Sequence, residues 1–226
     1  MRLNAASPCV PGTRLGAKIA NSQGVPGTLG CVARGADDSR TVLLSSWHVL
    51  FGNGGSGSDV IWLVDEADGA RRYDGLGRAL YGKIGTVRFD GEDYFVDCAV
   101  GSCVPSPETP HTLPRIARHD TARPGDRVTK VGAATGTTEG IVVDVSYCSA
   151  TRIAWRSYPA QRQLLVRSVR DDTPFASNGD SGAILVNARN DAVGLLWGTN
   201  CRGEAVACHI APVLRAMNVT LPAAGV

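Results

Sequence analysis

The chain has 226 residues, a formal net charge of +2 and 43% hydrophobic residues. That length supports one well-packed unit or two small subdomains sharing a core, and the composition argues against long disorder away from the ends. No basic stripe with interleaved aromatics marks a nucleic-acid surface, and no run approaches the roughly 18 apolar residues of a membrane span, so neither is an expected partner.

The N-terminal run MRLNAASPCVPG lacks an apolar core of signal-peptide length, and the sequence reads as cytoplasmic. There are seven cysteines: Cys9, Cys31, Cys98, Cys103, Cys148, Cys201 and Cys208. An odd count without a leader favours reduced thiols. The nearest approach to a metal set is Cys201 with Cys208 and His209. No second pair lies within reach, so buried thiols outweigh a metal and no cofactor is expected. A Cys201–Cys208 disulfide across a hairpin stays open for an oxidising compartment.

In chain order, short β-branched runs alternate with turn signals, and the 27 glycines and 12 prolines fit an all-β chain of many turns. Thr28 to Ala33, Thr41 to Ser45, Val60 to Val64, Ile84 to Phe89 and Phe95 to Val100 form a first set of predicted strands. A second set is Arg127 to Val131, Gly140 to Tyr147, Gln163 to Val169, Ala183 to Val186, Val193 to Trp197 and Ala205 to His209. Between them, Val104 to Asp126 carries five prolines and reads as a surface linker. Ala211 to Met217 is the one predicted helix, with Pro212 tolerated in its first turn. The division is therefore an N-terminal segment (residues 1–26), a first unit (27–103), the linker (104–126) and a second unit with the helix (127–226).

Ser181 lies in Asn178-Gly179-Asp180-Ser181-Gly182, directly before an apolar strand. A serine hydroxyl needs a neighbouring base, open space and donors for an oxyanion. The flanking glycines allow close backbone approach and leave the N–H groups of Gly179 and Ser181 able to aim at one point. By itself the same run is an equally good surface turn. His48 follows the apolar strand Leu43-Leu44 and titrates near neutrality, as a general base should. Alone it is more often a satisfied core or surface histidine. Asp97 sits in Phe95-Val96-Asp97-Cys98-Ala99, where an unpaired carboxylate would be costly to bury. Its functional reading is the acid that orients a histidine, and its bland one a salt bridge or a capped turn. The chain order His, Asp, Ser matches the chymotrypsin arrangement and differs from the subtilisin and α/β-hydrolase orders.

On these motifs the chain resembles the chymotrypsin-like serine proteases. LSSWHVL resembles their histidine motif in its bacterial form, VDCAV their aspartate motif and SNGDSGAILVN their nucleophile motif. VTKVGAATGTTEGIVVDVSY is similar to the first hairpin of the second barrel in streptogrisin-type enzymes. The whole-chain likeness, roughly Gly27 to Leu221, is to trypsin-like proteins of the plant narrow-leaf type and their bacterial relatives. The resemblance implies an all-β fold of two packed six-stranded antiparallel β-barrels with a short C-terminal helix. It further implies a His48–Asp97–Ser181 triad, oxyanion donors at Gly179 and Ser181, and a peptide cleft between the barrels. Phe175, Ala176, Ser177 and Asn178 would border the primary specificity pocket, with Trp197 and Gly198 as one wall. No acid occurs there, so an uncharged apolar residue is expected before the scissile bond.

The sequence departs from the family pattern in three places. Ala183 stands where a second glycine is usual, the disulfide beside the histidine is missing, and no Ile-Val-Gly-Gly activation terminus is visible. Asp180 must therefore find another partner. Gly132-Ala-Ala-Thr-Gly-Thr-Thr resembles a phosphate loop faintly, but lacks the lysine and precedes a strand, so a hairpin turn is expected. The substrate is expected to be a protein or peptide, with narrow specificity for a dedicated partner protein, and the enzyme a monomer. Two rival readings stand beside it: an esterase acting on small acyl esters, and a protease-fold binding module without turnover.

Overall fold

A computed structural model describes residues 16–52, 54, 57, 59–67, 70–102, 116, 118–153 and 156–222. In chain order the elements are β1 (Lys18–Ala20), β2 (Pro26–Thr28), β3 (Cys31–Gly35), β4 (Thr41–Ser45), α1 (Trp47–Phe51), β5 (Val60–Ala67), β6 (Ala70–Phe89) and β7 (Glu92–Ser102). They continue as β8 (Arg127–Gly132), β9 (Gly136–Ile153), β10 (Arg156–Ser168), β11 (Ile184–Asn187), β12 (Ala192–Thr199), β13 (Ala205–His209), α2 (Ile210–Ala216) and β14 (Val219–Thr220).

The strands form two antiparallel systems. The second is a closed six-stranded barrel in the order β10-β13-β12-β11-β8-β9. The first is an eight-stranded sheet ordered β14-β3-β4-β7-β6-β5-β1-β2, two strands more than the six that the resemblance implies. The additions come from short pieces with no apolar run of their own. β1 joins the sheet upstream of Gly27, and β14 returns to it from beyond α2 by pairing Val219 with Gly35. Most of the proline-rich stretch 104–126 lies outside the described residues. Within its described part, Asp120 N–H donates to Ala192 O at 2.9 Å, which ties it to the start of β12.

Two strands are much longer than their apolar runs. β6 begins at Ala70, fourteen residues before the expected Ile84, and β9 runs from Gly136 to Ile153. The extra lengths are rich in exposed polar residues such as Arg71, Arg72 and Asp74. Residues 71–75 are all exposed and leave no alternation to read, and burial resumes only at Leu76. The second correction is α1, a one-turn helix where only a strand end was expected. Five residues are too few for a helical period. α2 starts at Ile210 with Pro212 in its first turn, one residue from the predicted start.

Three apolar clusters fill the molecule. One lies inside the first sheet around Leu43, Leu50 and Ile61, and one inside the barrel around Leu164, Val166 and Leu185. The third joins the two halves: Phe95, Val96 and Cys98 of β7 meet Leu195 and Trp197 of β12, Val206 and Cys208 of β13, and Val213 of α2. Each fully buried Leu, Val or Phe adds about 1.5–3 kcal/mol, so this shared core fixes the two halves against one another. β7 and β12 carry the candidate site into that junction.

Candidate active site

Asp97 lies on β7 with its side chain fully buried, and His48 lies on α1 with 22% of its side chain exposed. The carboxylate is satisfied from one residue: Oδ2 is 2.6 Å from His48 Nδ1, and Oδ1 accepts the His48 backbone N–H at 3.2 Å. This double attachment fixes the ring and makes Nδ1 the protonated nitrogen, leaving Nε2 as the free base. Burial by itself lowers the His48 pKa, but the charge of Asp97 and its hydrogen bond outweigh burial, and the net direction is up. α1 reaches this pose without a side-chain N-cap, because Ser46 Oγ donates instead to Leu196 O of β12 at 3.0 Å.

Ser181 sits between β10 and β11 in a turn built on two left-handed glycines, Gly179 (φ +104°) and Gly182 (φ +98°). A Cβ at Gly182 would lie 2.2 Å from both Ser45 Oγ and Thr28 O, so only glycine lets the serine turn close against the strand that leads to His48. Thr28 seals the same contact, its N–H donating to Ser181 O at 2.8 Å and its hydroxyl to Gly179 O at 2.8 Å. Among the described residues, the N–H groups of Gly179 and Ser181 donate to no protein acceptor. The Ser181 hydroxyl donates to Trp197 O at 3.1 Å. The expected Ser181–His48 hydrogen bond is therefore not made. A serine hydroxyl is a free rotor, and the nearby carbonyl captures it.

Lys130 is the partner that Asp180 needed. The Asp180 carboxylate meets Lys130 Nζ at 3.2 Å, with both side chains 0% exposed. It also accepts the N–H groups of Ser177 (3.0 Å), Ala134 (2.9 Å) and Thr135 (3.1 Å), and the Thr135 hydroxyl (2.7 Å). Burial alone would raise the Asp180 pKa; these bonds and the lysine together bring it below the ordinary carboxylate value. Burial pulls the Lys130 pKa down, against the opposing pull of Asp180. The glycine-rich run after β8 is thus a hairpin turn, as expected, and its amides cradle a carboxylate. Gly132 is required there, since a Cβ would lie 2.2 Å from Asp180 Oδ1. Sequence reasoning missed Lys130. The signal was present: Val128, Lys130 and Gly132 share the inward face of β8.

The predicted pocket residues differ in exposure. Phe175 (1% exposed) and Ala176 (4%) pack into the barrel core with Val142 and Val166. Phe175 also lies under the Lys130 ammonium, 5.9 Å from the ring centre. The Trp197 ring packs in the shared core, 5.4 Å from Phe95, while its carbonyl faces the Ser181 hydroxyl. Ser177 and Asn178 are exposed, and a Cβ on Gly198 would face open space. These last three are the predicted pocket residues that remain accessible. Periodicity could not separate them, because β12 is buried on both faces from Ala192 to Trp197.

Five cysteines are free among the described residues. Burial pushes Cys98 and Cys208 well above the ordinary thiol value, and Cys208 Sγ accepts the Asp97 N–H at 3.3 Å. Both are inert neighbours of the aspartate. His209 is committed to the backbone, with Nε2 donating to Val145 O at 2.8 Å.

No protein-family model matches the chain, and no curated protein sequence matches it. Solved structures do. Cellulomonas bogoriensis chymotrypsin is 17% identical with a TM-score of 0.57, the match covering 94% of this chain and 100% of that one. Thermobifida fusca protease A is 15% identical with a TM-score of 0.60, again over 94% and 100%. Nocardiopsis protease is 18% identical with a TM-score of 0.57, over 93% and 100%. At these identities the likeness is one of fold. The chain therefore has the chymotrypsin-like double-barrel fold of these bacterial serine proteases.

Proposed function

We propose that the chain is a serine endopeptidase that cleaves protein or peptide substrates through an acyl-enzyme. The observation that carries this reading is the fully buried Asp97 carboxylate bound at 2.6 Å to His48 Nδ1, on a histidine whose Nε2 is free. In the reaction the Ser181 hydroxyl leaves Trp197 O and gives its proton to His48 Nε2 as Oγ attacks the scissile carbonyl. Asp97 steadies the imidazolium, and the N–H groups of Gly179 and Ser181 take the oxyanion. His48 then protonates the leaving amine, and water repeats the sequence to release the acid. The exposed Ser177 and Asn178 and the half-buried Gly198 border the cleft, and an uncharged apolar residue precedes the cleaved bond.

One observation favours a second reading. The Ser181 hydroxyl rests on Trp197 O and not on His48, as a binding module without turnover would allow. Labelling with a fluorophosphonate separates the two. The protein is expected to label and Ser181→Ala not to; an unlabelled native protein would favour the binding module. A narrow preference for one partner protein predicts slow, sparse cutting of casein, and rapid unselective digestion would overturn it. Peptide and acyl-ester substrates compared side by side separate an endopeptidase from an esterase.

The pH profile follows from the Asp97 charge. His48 must be neutral to accept a proton, and its pKa is raised above the ordinary value of 6.5. The acid limb of kcat/KM is expected above that value, with activity falling as pH drops through it. Asp97→Asn removes the charge that raises the pKa and should move any residual limb downward. A flat profile from about pH 5 to 8 would exclude a histidine base.

A further inference from the structure

We propose that Gln163 is a positioning residue for the nucleophile, acting through Trp197; the inference rests on the protease reading above. Gln163 is 0% exposed and sits where β10 crosses from the barrel toward β7. Its Oε1 accepts the Trp197 indole N–H at 2.7 Å. Of its two Nε2 hydrogens, one goes to Phe95 O at 2.9 Å and the other is shared between the carbonyls of Gln161 (2.9 Å) and Arg162 (3.1 Å). The indole is donor-only, so the amide has one workable orientation. One side chain therefore ties β12, whose Trp197 carbonyl holds the Ser181 hydroxyl, to β7 two residues before Asp97.

The backbone is distorted to put it there. The β9–β10 register slips between Ala160 and Gln163, and Arg162 is left-handed at φ +51°. A non-glycine residue in that region is strained, and a bulge of this kind re-aims the side chain that follows. Arg162 is held in place by Glu92 at 2.6 Å and lies over Tyr94, both on the first sheet. An apolar residue at 163 would fill the same space in a core of Leu, Val and Phe. A buried amide with its oxygen and nitrogen assigned to opposite halves does something an apolar residue cannot: it sets the height of Trp197 along β12. The hydroxyl of Ser181 must leave Trp197 O for His48 in each cycle, so a small drift of that carbonyl changes how often the nucleophile is poised. Misplacement on the ångström scale by a remote change costs up to about 100-fold in rate.

The test uses Gln163→Met, which keeps the volume and removes both hydrogen-bonding ends, and Trp197→Phe, which removes the indole N–H along with part of the ring's volume and keeps a six-membered ring against Phe95. Active sites are counted by fluorophosphonate titration, and kcat and KM are measured per titrated site, well below the melting temperature of each variant. Each single variant is expected to lose about 10- to 100-fold in kcat with KM within about threefold, and the double variant to be no worse than the poorer single, since both act through one contact. A melting temperature lowered with per-site kcat unchanged would overturn the positioning role and leave the protease reading intact, and so would multiplicative losses in the double variant. If Gln163→Met does not fold, Trp197→Phe alone decides between a kcat loss and none. Failure of the native protein to label overturns the protease reading, and the role of Gln163 with it.

Discussion

Ser181→Ala and His48→Ala are each expected to lower peptide turnover by about six orders of magnitude, and the double variant to be no slower than either. The losses overlap because the two groups share one event. Without the Ser181 oxygen there is no acyl-enzyme to form, and without His48 Nε2 there is no acceptor for the serine proton. A residual rate of about 10³–10⁴ over water should survive, because the N–H groups of Gly179 and Ser181 still polarise a bound carbonyl. The fold should tolerate Ser181→Ala, whose hydroxyl makes one hydrogen bond, to a carbonyl, whereas His48→Ala leaves the buried Asp97 only the backbone N–H contact and should lower the melting temperature. Turnover measured on folded protein, well below the melting temperature of each variant, checks this. Substantial activity in Ser181→Ala would falsify the assignment.

Lys130→Met is expected to destabilise the protein by about 3–5 kcal/mol, because removing one member of a buried pair strands the other charge. Asp180 would keep its N–H and hydroxyl donors but lose the cation that balances it inside the barrel. Lys130→Met combined with Asp180→Asn removes both charges and should recover part of the loss. Chemical unfolding of the three variants measures it, and a single-variant effect below about 1 kcal/mol would contradict the pairing. Activity should fall with stability, since Asp180 lies between the two proposed oxyanion donors. The pH dependence has a definite sign. The folded Asp180 pKa lies below its unfolded value, so this contribution is present above the unfolded carboxylate pKa and is lost as pH falls through the folded one.

The sequence by itself determined the elements that advertise themselves locally. Thr41–Ser45 and Ala205–His209 are strands with the expected bounds, because a short apolar run between turn residues has few other ways to be satisfied. The residues of the proposed site were legible for a related reason: a histidine, a buried aspartate and a Gly-Asp-Ser-Gly turn are each expensive or conspicuous where they stand. The tertiary structure alone decided what depends on which side of a strand faces which neighbour. The Phe175 and Trp197 side chains both turn into cores, because β12 is enclosed on both faces and the chain before Ser181 dips into the barrel. Lys130 reads as an ordinary strand lysine until the β8–β9 turn folds over Asp180. Gln163 reads as one polar residue among many until a left-handed Arg162 turns it inward, and its two partners lie 34 and 68 positions away. Contacts of that kind are set by closure of the barrel and by its packing on the first sheet, and no local pattern records them.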